Sequence, residues 1–375
     1  QEDIDKAHYD FNERVAKAEA DYASKVAGIR EDQAHALADA LKKLRDALDD
    51  VTVRYAKDLA EIEEDYLKST EDSVKKHDEL RKDFDSQLAS FVSNGGRALP
   101  MSLITHEVGA TAFWAQGFDG SGIDVAVIDS GVAPVEGLTA PGKVINGPDL
   151  SFDSQIPQLL HLDMYGHGTH MAGIIAGRDD GAAVKSFTET EQFRGMAPGS
   201  RIVNIKVADA TGAVDVSQVI AAIDWVVQHR NDNGLNIRVL NLSFGTDSIQ
   251  SPALDPLAFA VEQAWNHGIV VVAASGNDGI GTPVRNPAKD PFVIAVGAVR
   301  SDGRTDTDDQ VADFTSCSKE REVDLVAPGR SLVSLRVPES FIDQAHNGAV
   351  VDDRFFKGSG TSQSAAVVSG AVALL

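Results

Sequence analysis

Residues 123–131 read IDVAVIDSG, in which a short run of apolar, largely β-branched side chains ends in a carboxylate and a glycine. A run of this length and composition, closed by turn residues, is typical of a strand buried on both faces. Four similar runs, each bounded by Gly, Asp or Asn, follow at residues 201–207, 239–242, 269–274 and 292–299. The pattern predicts a series of short buried strands.

Helical stretches separate these strands. Residues 214–228 and 257–267 show helical patterns and lie between consecutive runs. Repeated strand, helix, strand units build parallel sheets, because the chain must cross back over the sheet before it adds the next strand. We therefore predict an α/β fold with a doubly wound, mostly parallel sheet and helices on both faces. Such sheets bind ligands beyond the carboxyl ends of their strands.

The composition excludes several classes of function. The 375 residues include 57 acidic and 34 basic side chains, which give a formal net charge of −23 with no segregated basic patch. This charge repels nucleic acid and anionic membranes, so neither is expected as a partner. Cys317 is the only cysteine, which excludes an intrachain disulfide and a cysteine-based zinc site. No apolar run approaches the roughly 18 residues of a membrane span.

The beginning of the chain has a different pattern, and all 13 prolines lie beyond residue 96. Apolar side chains recur in alternating steps of three and four over residues 37–66 and again over 77–91. This spacing predicts an all-α module over residues 1–93, either a coiled coil or a helical hairpin that turns at Gly28 or at residues 68–72. The module is expected to act as a spacer or to join copies of the chain into a homo-oligomer.

A linker is predicted at residues 94–99, followed by a second domain over residues 100–375. The chain begins with Gln1 rather than Met and ends at Leu375. We therefore expect it to be a segment of a longer protein.

Three motifs carry the chemistry of this second domain. The first strand ends in Asp129. Residues 163–173, DMYGHGTHMAG, place His167 between two glycines, which let a partner approach the imidazole closely. Residues 358–370, GSGTSQSAAVVSG, place Ser362 at a helix N-terminus, where free N–H groups favour a developing negative charge. An Asp, a His and a Ser at one sheet edge suggest a nucleophile, its base and an orienting carboxylate.

At these residues the sequence resembles the subtilisin-like serine proteases, the subtilases of peptidase family S8, over about residues 100–375. The order Asp, His, Ser along the chain is that of subtilisin. Other family-like stretches are NLSFG at 241–245, AASGN at 273–277, VIAVGA at 293–298 and DLVAPG at 324–329. The resemblance implies a subtilisin-like fold and a serine endopeptidase (EC 3.4.21.-) that acts through an acyl-enzyme intermediate.

Carried over position by position, the resemblance makes Asp129, His167 and Ser362 the catalytic triad. It makes Asn277 the side-chain donor of an oxyanion hole, in which the N–H of Ser362 is a second donor. The substrate is expected to be a polypeptide in extended conformation, bound along strand-end backbone. The loop from Gly279 to Ala288 is expected to form a wall of the pocket for the residue before the cut. The residues assigned to substrate binding are Leu242, Ser243, Phe244, Gly245, Ala274 and Gly276.

The sequence departs from the family pattern in three places. Gln363 follows the serine where the family usually has Met, which affects the shape of the helix start. Family domains continue well past this helix, whereas the chain ends 13 residues after Ser362, so part of the fold is expected to lie outside this segment. Many family members carry a small mixed α/β pro-domain. Residues 1–93 have the wrong periodicity for one, so we expect an appended module.

The triad chemistry requires no cofactor, and no metal ligand is assigned. A metal-dependent alternative rests on His161, His167 and His170, although the chain has no His-Glu-x-x-His motif. Structural calcium, which family members often bind, is a second alternative. The carboxylates in candidate calcium loops are Asp149, Asp153, Asp179 and Asp180.

Two further alternatives stay open at this point. Asp163 is expected either to line a substrate pocket or to cap a turn. The rival function is a catalytically silent coiled-coil assembly protein whose protease-like domain only binds peptides. The family resemblance alone favours a secreted or cell-surface location.

Overall fold

The structure, a computed structural model, describes residues 98–182, 192–248, 250–301 and 309–375, together with three helical and exposed residues, Arg14, Lys17 and Asp21. Apart from those three, the predicted coiled coil or hairpin lies outside the described residues and stays a prediction. None of the helices described has the length and apolar character that crossing a bilayer requires.

The described residues form strands that belong to two sheets. In chain order the strands are β1 (Leu99–Pro100), β2 (Asp124–Asp129), β3 (Val144–Asp149), β4 (Arg201–Lys206), β5 (Ile237–Leu242), β6 (Val270–Ala274), β7 (Ile294–Arg300), β8 (Gln310–Val311), β9 (Leu325–Pro328), β10 (Leu332–Leu335) and β11 (Phe355–Gly358). The large sheet has the order β3-β4-β2-β5-β6-β7-β8, with β9 also paired to β7. Its pairs are parallel except that of β7 with β8. The predicted mostly parallel sheet is confirmed.

The central strand β2 explains why these runs are apolar throughout. Successive side chains of a strand point to opposite faces. Val125 and Val127 enter one hydrophobic core, whereas Ala126 and Ile128 enter the other. Because helices cover both faces of the sheet, neither set of side chains reaches water.

The helices, like the strands, are labelled in chain order. They are α1 (Met101–Glu107), α2 (Ala110–Ala115), α3 (His167–Ala176), α4 (Val216–His229), α5 (Pro256–Asn266), α6 (Phe341–Ala345) and α7 (Thr361–Leu374). The side chains of α3 and α7 pack in the first core, and those of α4 and α5 pack in the second. The predicted helices on both faces are therefore confirmed.

Local capping fixes where α4 and α5 begin. The Asp215 carboxylate accepts from Ser217 N at 2.8 Å, and Gln218 Oε1 accepts from Asp215 N at 2.7 Å, which forms a capping box. Asp255 caps α5 by accepting from Leu257 N at 2.9 Å. The chain then runs along each helix back to the amino-terminal edge of the sheet, where the next parallel strand begins.

A second, small sheet has the order β1-β10-β11. Its first pair is parallel and its second antiparallel. Neither this sheet nor β3 could be predicted from the sequence, because these strands are very short or lack a continuous apolar run.

Helix α7 is buried on all sides, and only Ala371 and Val372 of its residues escape burial. A helix without a polar face must pair its few polar groups internally. Ser364 Oγ donates to Ala327 O at 3.0 Å, and Ser369 Oγ donates to Asn241 Oδ1 at 2.8 Å. These two hydrogen bonds connect α7 to β9 and to β5.

Candidate active site

His167 and Asp129 meet at the carboxyl edge of the large sheet. Asp129 ends β2 and His167 begins α3, and His167 Nδ1 lies 2.8 Å from Asp129 Oδ1 and 3.0 Å from Oδ2. The glycine after the histidine allows this approach, because a Cβ at Gly168 would lie 2.2 Å from Gly131 O and 3.1 Å from Asp129 Cβ. The Nδ1 contact leaves Nε2 as the nitrogen available to a reacting group.

The environment of His167 sets its protonation. Burial lowers the pKa of the imidazole, but the charge of Asp129 and its hydrogen bond outweigh this effect, so the pKa lies above its ordinary value of 6.5. The carboxylate is buried, whereas the imidazole side chain is 24% exposed. His167 is therefore the more accessible member of the pair.

A second buried carboxyl group, Asp163, accepts hydrogen bonds from the backbone on either side of His167. Asp163 accepts from Gly166 N at 2.6 Å and Thr169 N at 2.7 Å, and Ser130 Oγ lies 2.8 Å from it. Desolvation raises the pKa of Asp163, and these hydrogen bonds partly offset the rise. Of the two expected roles, the structure shows turn capping, since the side chain is 1% exposed. Asp163 thus fixes the turn that carries His167.

Ser362 occupies the first turn of α7, as predicted, and the helix begins at Thr361 despite the unusual Gln363. Its hydroxyl donates to Ser243 O at 2.8 Å. The two neighbouring serines face other partners. Ser364 Oγ donates to Ala327 O, and Ser359 Oγ accepts from Ser331 N at 2.8 Å. Ser362 is therefore the hydroxyl of this segment that faces the predicted substrate strand.

Asn277 lies beside the same helix start. Its Oδ1 accepts from Thr361 N at 2.9 Å and from Thr361 Oγ1 at 3.1 Å. These bonds orient the amide, because an oxygen that accepts twice leaves the NH₂ group as the end that can donate elsewhere. A Cβ added at Gly360 would lie 3.3 Å from Asn277 Nδ2, so the backbone there packs closely on the amide. The exposed Asn277 residue thus presents a donor next to Ser362.

The residues predicted to bind substrate fall into two groups. Ser243, Phe244, Gly245 and Gly276 lie at the strand ends next to α7, where Gly276 N donates to Thr361 Oγ1 at 3.2 Å. The side chains of Leu242 and Ala274 instead lie in the hydrophobic cores, with exposures of 0% and 3%. Those two residues can meet a bound peptide only through their main chain.

A cavity of about 210 Å³ opens beside His167. Its lining includes Ser243 and Phe244, which were predicted to bind substrate, and five residues that were not predicted from the sequence. These are Tyr165, Val207, Ala208, Gly212 and Val214.

The ring of Tyr165 forms an aromatic wall of this cavity. It stacks on Phe341 with a centroid distance of 5.6 Å, and a Cβ at Gly212 would lie 2.7 Å from it. Its position two residues before His167 was the available sequence signal. Tyr165 and Phe244 make this part of the cleft suited to an apolar side chain.

Among the residues that the structure describes, no three His, Cys, Asp or Glu side chains are grouped in a way that could hold a metal ion. His170 is buried, its pKa falls to about 4 through desolvation, and its Nε2 lies 3.2 Å from Phe356 O. Three of the four candidate calcium carboxylates already have protein donors, and the fourth, Asp180, is exposed. Asp149 accepts from Ser151 and His161, Asp153 from Ala210, and Asp179 from Phe193 and Arg354.

A parallel α/β sheet with an Asp–His pair at one strand end and a serine at a neighbouring helix N-terminus defines a class of serine hydrolase. The chain belongs to the subtilase family, whose model matches residues 120–375. The predicted family and its α/β fold are thereby confirmed.

Three relatives illustrate the similarity. Serine protease AprX of Bacillus subtilis (strain 168) is 34% identical over 270 residues, which cover 69% of this chain and 58% of AprX. Minor extracellular protease Epr of the same strain is 33% identical over 262 residues, or 70% of this chain and 33% of Epr. A cold adapted subtilisin-like serine proteinase of known crystal structure matches with a TM-score of 0.51 and 29% identity, over 68% of this chain and 76% of that one. The chain thus spans less than two thirds of the first two relatives.

Proposed function

We propose that the chain is a serine endopeptidase that cuts extended polypeptides through a triad of Asp129, His167 and Ser362. The observation that carries the proposal is the 2.8 Å contact of His167 Nδ1 with Asp129. It orients the imidazole so that Nε2 can act as a base, and membership of the subtilase family supports the same chemistry.

The first step is attack by Ser362 Oγ on the substrate carbonyl carbon. The hydroxyl leaves its hydrogen bond to Ser243 O, and His167 Nε2 takes its proton as the C–O bond forms. The Asp129 carboxylate stabilises the resulting imidazolium. Collapse of the tetrahedral adduct breaks the peptide bond, and His167 gives the proton to the leaving amine. Water then hydrolyses the acyl-enzyme by the same steps.

The negative oxygen of each adduct requires donors fixed in advance. The amide of Asn277 is oriented by its two contacts from Thr361, and the N–H of Ser362 belongs to the open first turn of α7. Thr361, which contacts Asn277, directly precedes Ser362, so we place the two donors in one site. They form the proposed oxyanion hole.

A covalent probe provides the direct test. A fluorophosphonate should label the purified chain once, and peptide mapping should find the adduct on Ser362. Absence of labelling together with retained binding of peptides would favour the catalytically silent alternative.

Replacing Asn277 with Leu tests the oxyanion hole. We expect the turnover number to fall by about 10²–10³-fold, the loss seen for an oxyanion-hole asparagine in the related subtilisin, with little change in KM. The contact forms only in the transition state, so ground-state binding is spared. Steady-state kinetics on one peptide substrate measures both constants. Asn231→Leu, at an exposed turn outside the cleft, serves as the control. Unchanged turnover would remove Asn277 from the mechanism.

The pH profile tests the base. His167 accepts a proton only when neutral, and its pKa lies above 6.5 because the effect of Asp129 exceeds that of burial. A base with a raised pKa stays protonated to higher pH. We therefore expect kcat/KM to rise with pH and to reach half its maximum above pH 6.5. Rates across about pH 5 to 9 check this, and a midpoint on the acid side of 6.5 would contradict it.

Three further proposals concern the cofactor, the location and the self-association of the protein. Every step uses protein groups and water, so we propose no cofactor. The name of Epr and the family support a secreted or cell-surface location. Self-association through the N-terminal residues is proposed from their apolar spacing alone.

A further inference from the structure

Arg285 occupies the space between the two strand-end segments that flank Ser362. A Cβ added at Gly245 would lie 2.6 Å from Arg285 Cβ, and a Cβ added at Gly276 would lie 3.0 Å from its Cγ and Cδ. The apolar stem of this one side chain therefore packs against both glycines. The two segments lack side chains at the points where the stem passes.

The backbone holds Arg285 in this place. Its N–H donates to Ser275 O at 2.9 Å, and the next residue, Asn286, exchanges two hydrogen bonds with Thr246 at 2.8 and 3.1 Å. The loop thus bridges both strand ends and directs the arginine stem between them. This fixes part of the pocket wall that the sequence analysis expected from Gly279 to Ala288.

All three nitrogens of the guanidinium group contact carboxylates. Nε and Nη2 bind Asp278 at 2.6 and 2.8 Å, and Nη1 lies 3.3 Å from Asp247. A bidentate pair of this kind resists rotation of the arginine. The guanidinium is thus already paired with carboxylates of the protein, and a basic substrate side chain would have to displace Arg285.

Both flanking segments contact the first turn of α7, which carries Ser362. Ser243 O accepts from Ser362 Oγ, and Gly276 N donates to the Oγ1 of the adjacent Thr361. A substrate residue acylating Ser362 would place its side chain between these segments, where Arg285 already lies. The aliphatic stem of Arg285 therefore shortens the space that is left for the substrate side chain.

We propose that Arg285 determines specificity by restricting the residue immediately before the scissile bond to a small side chain, namely Gly, Ala or Ser. The inference rests on the proposed function, since it concerns the acyl residue of the same site. The inference adds to that function the class of peptide that the site accepts.

The test compares peptides that differ only at the residue before the cut, which is Ala, Phe, Asp or Lys. The wild-type chain should show its highest kcat/KM with Ala. Arg285→Ala should raise kcat/KM for the Phe peptide by about 10–100-fold, the range that pocket volume controls, with a small change for the Ala peptide. Arg285→Met keeps the stem without the charge and should still reject Phe.

Arg321→Ala is the matched control, because Arg321 makes a similar bidentate pair with Asp324, at 2.9 and 2.7 Å, outside the cleft. Its profile should equal that of the wild type. A wild-type preference for Phe, Asp or Lys, or an unchanged profile in Arg285→Ala, would overturn the assignment of Arg285 while peptide cleavage itself stands. If no peptide is cleaved and a fluorophosphonate leaves Ser362 unlabelled, the proposed function fails and the inference with it.

Discussion

Ser362→Ala should reduce turnover by about 10⁶-fold while leaving the fold intact, which is the size of loss that removing the nucleophile causes in the related subtilisin. The reason is that the triad acts as a unit, so a base without its nucleophile contributes almost nothing. Ser362 lies at the rim of the buried helix α7 and its hydroxyl makes one hydrogen bond, to Ser243 O. Single-turnover kinetics on a peptide substrate measures the loss, and circular dichroism checks the fold.

The neighbouring serine provides the control for this experiment. Ser364→Ala removes a buried hydrogen bond to Ala327 O, which should cost about 1 kcal/mol of stability and leave turnover within a few fold. The two residues are separated by ~200° around the helix, so they face different elements. A phosphonyl adduct found on Ser364, or full activity in Ser362→Ala, would exclude Ser362 as the nucleophile.

Asp129→Asn should reduce turnover by about 10⁴-fold at neutral pH. An amide in place of the carboxylate stabilises neither the Nδ1–H tautomer nor the imidazolium. The histidine also loses the charge that raises its pKa. The remaining activity should therefore reach half its maximum at a lower pH than in the wild type. Kinetics over a pH series measures both effects.

Asp179→Asn is the matched control, because Asp179 is as buried as Asp129, at 7% exposure each, but pairs with Arg354 outside the site. It should lower the free energy of unfolding and spare the turnover of the folded protein. Equal losses of turnover in the two variants would mean that Asp129 acts through stability rather than through His167.

The segments that carry the proposed triad could be located in the sequence because each has a local signature. Asp129 ends an apolar strand, and the glycines beside His167 and the small residues after Ser362 admit close packing. Parallel strands bring their carboxyl ends to one edge, so Asp129 and the residues around His167 could be expected to meet there, as they do at 2.8 Å. The large sheet followed from the same pattern.

Features that depend on the direction of side chains could not be predicted from the sequence. The position of Arg285 depends on two glycines from different strand ends, and the Tyr165 wall depends on Gly212. Neither contact has a periodicity that could reveal it. The small sheet was missed for a similar reason, since Leu99–Pro100 pairs with residues near position 332, more than half the chain away.

The burial of α7 also has a consequence for synthesis. The side chains of this helix pack in the first core, and the bond of Ser362 to Ser243 spans 119 residues. On the ribosome the chain emerges at about 5–20 residues per second with its N-terminal parts first, so Asp129 and His167 are available well before the helix that carries the serine. In the proposed mechanism, a nascent chain that has not yet reached α7 therefore holds the base but not the nucleophile, and it cannot cut itself or its neighbours.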